Sequence, residues 1–438
     1  MKQRSTAREI FLAGVESVKP DNLIRRYVVK QGKTLLIDDI SFDLSHTGNI
    51  YVVGAGKASA AMAQSIESVL GSSITGGHII TKYEHSLPLK YIEITEAGHP
   101  VPDENGVKGT RNILSLVNKA KEDDLVICLI SGGGSALLTD VPDGCTLEDL
   151  KKVSTILLKT GANITEMNCI RKHLSGIKGG QLSRAAYPAR MVSLILSDVI
   201  GDPLDVIASG PTAPDPTTFS DALAIIRKYN IENELPAQII KILREGSQNK
   251  RQETLKESDK ILLRTSNLVI GTNLLALRTA KEKAEELGYK TRIVTNKLDG
   301  DVTDAAKYIV ETAINAREKE KNNRICLLFG GEPTVKIDGK GSGGRNQHLA
   351  LIIADLIREM PGITILSGGT DGTDGPTDAA GAVVDSSTYE RALKLNLDIK
   401  QYILNCDSYN FFRKEGGLLI TGPTQTNVMD LMVLLIDI

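Results

Sequence analysis

The 438-residue chain has no strong charge of either sign: 52 Lys and Arg stand against 54 Asp and Glu, a formal net charge of −2. No global field points to nucleic acid or to an acidic partner. Cysteine is sparse. Cys128, Cys145, Cys169, Cys326 and Cys406 lie far apart and no two form C-x-x-C, so metal-ligand spacing is missing. Cys128 and Cys326 sit inside apolar runs, which predicts buried free thiols in a reducing compartment. No apolar run approaches about 18 residues, so no membrane span is expected. The opening MKQRSTAREIFLAGVESV has no long apolar stretch, so no secretory signal is expected and a cytoplasmic protein follows. Low-complexity tracts and short-period repeats are missing too.

Known chemical fingerprints are also lacking. Walker A needs G-x-x-x-x-G-K-[ST]. GAGKAS (Gly54–Ser59) lacks the first glycine, and Gly339-Lys340-Gly341 lacks both the spaced glycine and the hydroxyl. The Rossmann G-x-G-x-x-G fails because Gly54-Ala55-Gly56 is followed by Ser59, which weighs against a nicotinamide cofactor. Ser135 lies in G-G-G-S-A, not G-x-S-x-G, and none of the six histidines stands in an obvious arrangement with Ser and Asp. His99 and His173 read as structural or hydrogen-bonding groups.

What is present is an ordinary globular composition, 41% hydrophobic and 24% charged, on a chain long enough for two or three domains. The 40 glycines cluster. The rhythm is strand, glycine-rich loop, helix: NIYVVGAG then a helix over 57–70, the strands HIITK and YIEITEAG, DLVICLISGGGS, helices over 147–158 and 164–173, and MVSLILSDV. Near-continuous apolar strands alternating with helices predict mostly parallel sheets covered on both faces. The polar stretch Asn230 to Lys260 suggests a junction, giving a Rossmann-like domain over 1–240 and a second α/β domain over 241–438. In the second the rhythm restarts with NLVIGTN, TRIVTNK, RICLLFGGE and ITILSGGTDGTDG between helices over 274–287, 302–318 and 346–360. LISGGG and ILSGGT echo each other, either as related halves or as two similar turns. The first 45 residues read as a helix and an irregular strand pair.

Ligands of open α/β sheets bind beyond the carboxyl ends of the strands. The loops there include GAGKAS, SGGGSALL, LSDVIGDPLDVIASGPT, FGGEPTV, GKGSGGRNQ and SGGTDGTDGPTD, whose N–H groups could cradle phosphate. Asp198, Asp202 and Asp205 follow one strand; Asp371, Asp374 and Asp378 follow another. Strand-end carboxylates beside glycine loops suit Mg²⁺. Asp374 and Asp378 read better as turn formers, whereas Asp198 and Asp371 favour a functional role. Lys57 opens a helix against the dipole, and Arg345, after Gly343-Gly344, stands at another helix start where it could grip an anion bidentately.

VVGAGKASAAMA, LISGGGSALL, RKHLSGIKGGQLS, SDVIGDPLDVIASGPT, GGEPTV, GSGGRNQHLAL, SGGTDGTDGPTDAAGAVVD and TGPTQTNVMDL, in this order, resemble the glycerate 2-kinase family of the MOFRL type, some members of which are labelled hydroxypyruvate reductase. The resemblance runs from about Tyr51 to Asp430. It implies ATP-dependent phosphorylation of D-glycerate at the 2-hydroxyl with a divalent metal, in sugar and glycerate breakdown. It also implies two α/β domains with the active site in the cleft between them. The family's lysine in G-A-G-K falls on Lys57 and its arginine in G-G-R-N on Arg345. On this reading Lys57 binds the transferring phosphoryl group or glycerate oxygens, and Arg345 holds the substrate carboxylate or stabilises transition-state charge. Asp198 or Asp371 holds Mg²⁺ or orients the attacking hydroxyl. Gly132, Gly133, Gly134, Ser135, Gly331, Glu332, Asp371 and Asn427 line the nucleotide or substrate site. Asn168 and Arg171, at i and i+3 of one helix, contact glycerate. The partners are small molecules, and the chain is a monomer or homodimer. The rivals are an NAD(P)H-dependent hydroxypyruvate reductase and a non-catalytic nucleotide- or sugar-acid-binding module.

Overall fold

The structure, a computed structural model, describes residues 2–320 and 323–437. It contains two compact units: Leu23–Ile270, which is continuous, and Met1–Asn22 joined to Gly271–Ile438. The division falls at 270/271 and not at 240/241, for a packing reason. The polar stretch near 230–260 surrounds the helix Ala237–Ser247, which buries Ile239 and Leu243 with Phe219 and Leu223 of the continuous unit. The N-terminal helix Lys2–Ser17 leaves that unit altogether. Its apolar stripe Ala7, Ile10, Phe11 and Val15, at i, i+3, i+4 and i+8, packs with Leu277, Leu366 and Leu431.

The continuous unit begins with a small antiparallel sheet of β1 (Val28–Gln31), β2 (Thr34–Ile37) and β3 (Ile40–Asp43), one strand more than the sequence suggests. Its main sheet comprises β4 (Ile50–Ala55), β5 (Gly76–Lys82), β6 (Glu93–Ala97), β7 (Leu125–Ile130), β8 (Arg190–Leu196) and β9 (Thr265–Gly271). The order is β6-β5-β4-β7-β8-β9, and the pairs β4–β5, β5–β6, β4–β7 and β7–β8 are parallel. This is the doubly wound order in which strand succession reverses between β4 and β7, the place where such sheets open a ligand crevice. Every residue of β4 and β7 is buried, as covering on both faces requires.

The second unit holds β10 (Lys290–Leu298), β11 (Ile325–Gly331), β12 (Ile363–Gly369), β13 (Gly381–Asp385), β14 (Leu418–Leu419) and β15 (Asp430–Ile436), in the order β10-β11-β15-β12-β13-β14. Only β10–β11 is parallel among the recorded pairs; β15 runs antiparallel to both β11 and β12. The fold class is the expected α/β, but this sheet is mixed, not mostly parallel. DLMVLLI is buried at all seven positions, so it reads as the same unbroken apolar run that a parallel strand gives. Burial sets that pattern, and strand direction leaves no mark on it.

Among the described residues no helix is long and apolar enough to cross a membrane. All five cysteines are free, with Cys128, Cys169 and Cys326 buried. Burial pushes the Cys128 thiol up to about 12, consistent with an inert core thiol.

Candidate active site

The turn after β4 meets the turn after β7 at the reversal point. Lys57 lies in the turn and half-buried, with the helix Ser59–Leu70 starting two residues later. The N–H groups of this turn are already committed: Gly56 donates to the Ile80 carbonyl (3.1 Å), Lys57 to the Gly132 carbonyl (2.9 Å) and Ala58 to Ser131 Oγ (3.0 Å). GAGK is therefore no phosphate cradle of the P-loop kind. Its backbone bolts the two turns together and presents the Lys57 side chain. Gly56 has φ 142°, and a Cβ there would lie 2.1 Å from Ser131 Oγ, so glycine is required. Gly133 has φ 82°, and a Cβ there would lie 2.9 Å from the His99 ring and 3.4 Å from Lys57 Cγ. Lys57, His99 and the Gly132–Ser135 turn thus form one cluster.

Beside them lies a cavity of about 200 Å³ whose lining includes His99, Gly133, Ser135, Asp140, Arg171 and Lys178. Arg171 is presented by the helix Ile164–His173, whose start is fixed by a capping box between Asn163 and Glu166. Asn168, on the same helix, is buried and accepts from Ser209 Oγ (3.3 Å), which in turn shares a 2.6 Å hydrogen bond with Ser135 Oγ. Ser209 and Ala208 both hold positive φ, 61° and 51°, a strained run that delivers this hydroxyl. The other two residues of the Arg171-Lys172-His173 run serve the scaffold. Lys172 donates to Asp205 (3.0 Å) and Asp215 (3.3 Å), and His173 pairs with Glu253 (2.9 Å). His173 is structural as expected, whereas His99 lines the cavity. Burial lowers the Arg171 guanidinium from its ordinary value, though not enough to discharge it.

In the second unit, the carboxyl ends of β11 and β12 flank the start of β15. Gly331, Asp430 and Gly369 stand in register across the three strands. Asp430, fully buried, grips Arg345 with both oxygens (2.6 and 3.0 Å), and Arg345 Nη1 reaches Glu332 Oε1 at 2.8 Å. Burial alone would lower the Arg345 guanidinium's pKa; Asp430 and then Glu332 raise it, so its charge is permanent. Asp430 fills the bidentate fork and Glu332 takes Nη1, so protein carboxylates hold the guanidinium from two sides. Gly331 is explained by close approach: a Cβ there would lie 2.1 Å from the Leu298 carbonyl oxygen.

Asp371 Oδ1 accepts from the N–H (3.1 Å) and hydroxyl (3.2 Å) of Thr373, an Asx turn. Asp374 does more than turn the chain. It accepts from the N–H groups of Asn346 (3.0 Å) and Gln347 (2.8 Å), capping the helix Arg345–Leu356, so that helix start is taken by a protein carboxylate. Burial pushes its carboxyl up to about 7 against those hydrogen bonds. Asp378 accepts from the Tyr409 hydroxyl (2.8 Å). Asn427 is buried and its Oδ1 accepts from the Met429 N–H (3.4 Å).

Each unit therefore gathers part of the expected set: Lys57, Gly132, Gly133, Gly134, Ser135, Asn168 and Arg171 in one, Arg345, Glu332, Gly331, Asp371 and Asn427 in the other. The sequence reading missed Lys178, Asp140 and Asp430. A lysine between glycines in GIKGG, and the aspartate closing TNVMD, were the available signals. Among the described residues no group of three or more His, Cys, Asp or Glu side chains could cage a metal. Mg²⁺ arriving with phosphate oxygens needs only one or two carboxylates. Asp198, half-buried just past β8, fits that; Asp371, bound up in its Asx turn, fits less well.

A doubly wound sheet with Lys57 at its reversal point, in one chain with a second α/β unit carrying a fixed arginine, places the chain among two-unit α/β proteins with cations near their strand ends. Comparison with known proteins narrows this. Residues 6–244 match the family model described as a domain of unknown function (DUF4147), and residues 325–430 match the MOFRL family. The chain is 42% identical over 436 residues to D-glycerate 2-kinase of Thermotoga maritima, covering 99% of this chain and 98% of that one. It is 39% identical over 425 residues to glycerate 2-kinase of Pyrococcus horikoshii, covering 96% and 94%. The crystal structure of glycerate kinase from Thermotoga maritima superposes with a TM-score of 0.87 at 40% identity, covering 100% of both chains. The chain belongs to the MOFRL-type glycerate 2-kinase family.

Proposed function

We propose that this chain is a cytoplasmic kinase that transfers the γ-phosphoryl group of ATP to the 2-hydroxyl of D-glycerate, giving 2-phosphoglycerate and ADP. The observation that carries the reading is the cavity of about 200 Å³ with Arg171 and Lys178 on its wall. It falls below the roughly 300–1,000 Å³ of sites for drug-sized ligands and suits a three-carbon acid anion. Full-length similarity to proteins named glycerate kinase supports the same substrate.

Phosphoryl transfer needs positioning and charge neutralisation more than covalent chemistry. Arg171 and Asn168 hold glycerate. Lys57, beside the Gly132–Ser135 turn, meets the phosphoryl group as the oxygen–phosphorus bond forms and the bond to ADP breaks. Asp198 orients the attacking hydroxyl or holds Mg²⁺. A divalent ion bound there supplies positive charge against the phosphate oxygens. Arg345, held by Asp430 and Glu332, stabilises charge that develops in transfer. The reading requires that Lys57 and Arg345, from different units, both act in turnover.

Incubation with D-glycerate, ATP and Mg²⁺, coupled to enolase, tests the reading. Signal without added phosphoglycerate mutase, abolished by EDTA, is expected. Signal that requires the mutase indicates the 3-phosphate. NADH oxidation by hydroxypyruvate without ATP indicates a reductase, and binding without turnover indicates a sensing module.

A further inference from the structure

The cavity holds a second cation. Lys178 lies between the helix Ile164–His173 and the helix Gln181–Ala186 and is 6% exposed. Its ammonium donates to the carbonyl oxygens of Ser135 (2.9 Å) and Leu138. An ammonium has three donors, so one remains for the cavity that Lys178 lines. The one carboxylate on that wall, Asp140, already accepts from the Ser175 hydroxyl and the Gly176 N–H. Arg171 and Lys178 against Asp140 leave the wall with an excess positive charge, and burying such a charge is costly until an anion joins it.

We propose that Lys178, together with Arg171, binds the carboxylate of glycerate in this cavity and makes it selective for small hydroxy acid anions. The assignment rests on the glycerate kinase reading. It has a signature in protons. Burial pulls the Lys178 ammonium down to about 8, with Asp140 opposing and Arg171 adding to the effect. A bound carboxylate raises it again, so binding near pH 8 takes up protons. The other charged or titratable groups facing the cavity are Arg171, Asp140 and His99.

Calorimetric titration of D-glycerate into the full chain at pH 8, without ATP, in two buffers of different ionisation enthalpy, tests this. The expected result is uptake of roughly 0.4 proton per glycerate, retained in His99→Gln and lost in Lys178→Met. Lys178→Met should also raise KM for glycerate at least tenfold while KM for ATP stays within twofold. A lysine that merely ties two carbonyls would not move one substrate's KM alone or the proton count. The proton count on the wild-type chain needs no variant to fold. A wild-type chain that binds glycerate without proton uptake, or Lys178→Met with wild-type affinity, overturns the assignment and leaves the kinase reading standing. A wild-type chain that neither binds nor phosphorylates D-glycerate overturns both.

Discussion

The anchor at the end of the Arg171-bearing helix makes stability depend on pH in a definite direction. His173 is 4% exposed; its Nδ1 faces the Cys169 carbonyl at 2.7 Å and its Nε2 faces Glu253 Oε1 at 2.9 Å. Both ring nitrogens face acceptors, and only the imidazolium can donate from both. Burial alone would lower the imidazole's pKa, but these hydrogen bonds raise it from 6.5 to about 9. Because the folded value exceeds the unfolded one, the stabilisation is complete below pH 6.5 and is lost as pH rises through about 9. At about 1.4 kcal/mol per pKa unit the full effect is about 3 kcal/mol. The Glu253 carboxyl falls to about 2, with burial opposing and His173 driving it; this is the same ion pair seen from the other partner and is not added. Urea unfolding of the wild type and His173→Gln at pH 6 and pH 9.5 measures the effect. The variant should lose about 3 kcal/mol at pH 6 and far less at pH 9.5. Glu253→Gln removes the counter-ion, so burial takes over and stability no longer falls between pH 6.5 and 9. Equal losses in His173→Gln at both pH values would refute the reasoning.

Lys57→Ala and Arg345→Ala should each cut kcat by orders of magnitude with circular dichroism unchanged; near-normal turnover in both removes them from the mechanism. Ser131→Ala leaves the buried Ala58 N–H without its acceptor, at about 1–2 kcal/mol, and should lower kcat because the Lys57 turn loosens; thermal melting and steady-state kinetics read the two effects. Asp374→Ala should cost about 1–2 kcal/mol of helix capping, whereas Asp374→Asn keeps an acceptor oxygen. The Asp374 carboxyl titrates at about 7 when folded against an ordinary 3.8, so the wild type loses stability as pH rises through that range. Asp374→Asn should therefore gain on the wild type between pH 5 and pH 8 in urea unfolding.

Strands β4 and β7 were legible because each is a short apolar run closed by a glycine turn, as in LVICLISGGG, whereas β9 (NLVIG) was placed in the second domain although it closes the first sheet. The second was legible only as strands and helices. Burial on both faces erases the sign of strand direction, so β15 could not be told from a parallel strand. The apolar stripe of the helix Lys2–Ser17 shows which face is buried and not what covers it, hence its assignment to the wrong domain. Lys57 stands two residues past β4, in the turn ahead of its helix, and Arg345 opens its helix as expected. Arg345's grip on Asp430 was invisible because it joins residues 85 positions apart. Lys178 was overlooked because a lysine beside glycines looks like a solvated loop residue, and only tertiary packing makes it a buried charge.

During synthesis the helix Lys2–Ser17 leaves the ribosome long before the strand Asp430–Ile436 that helps cover it. Ile10, Phe11 and Val15 must wait uncovered while all of Leu23–Ile270 is made and closes its own sheet. The nascent chain thus carries a finished unit beside an unfinished one, with the apolar face of the helix Lys2–Ser17 still exposed. Slow translation of the last strands, or a truncation before them, leaves that helix to other chains and to chaperones.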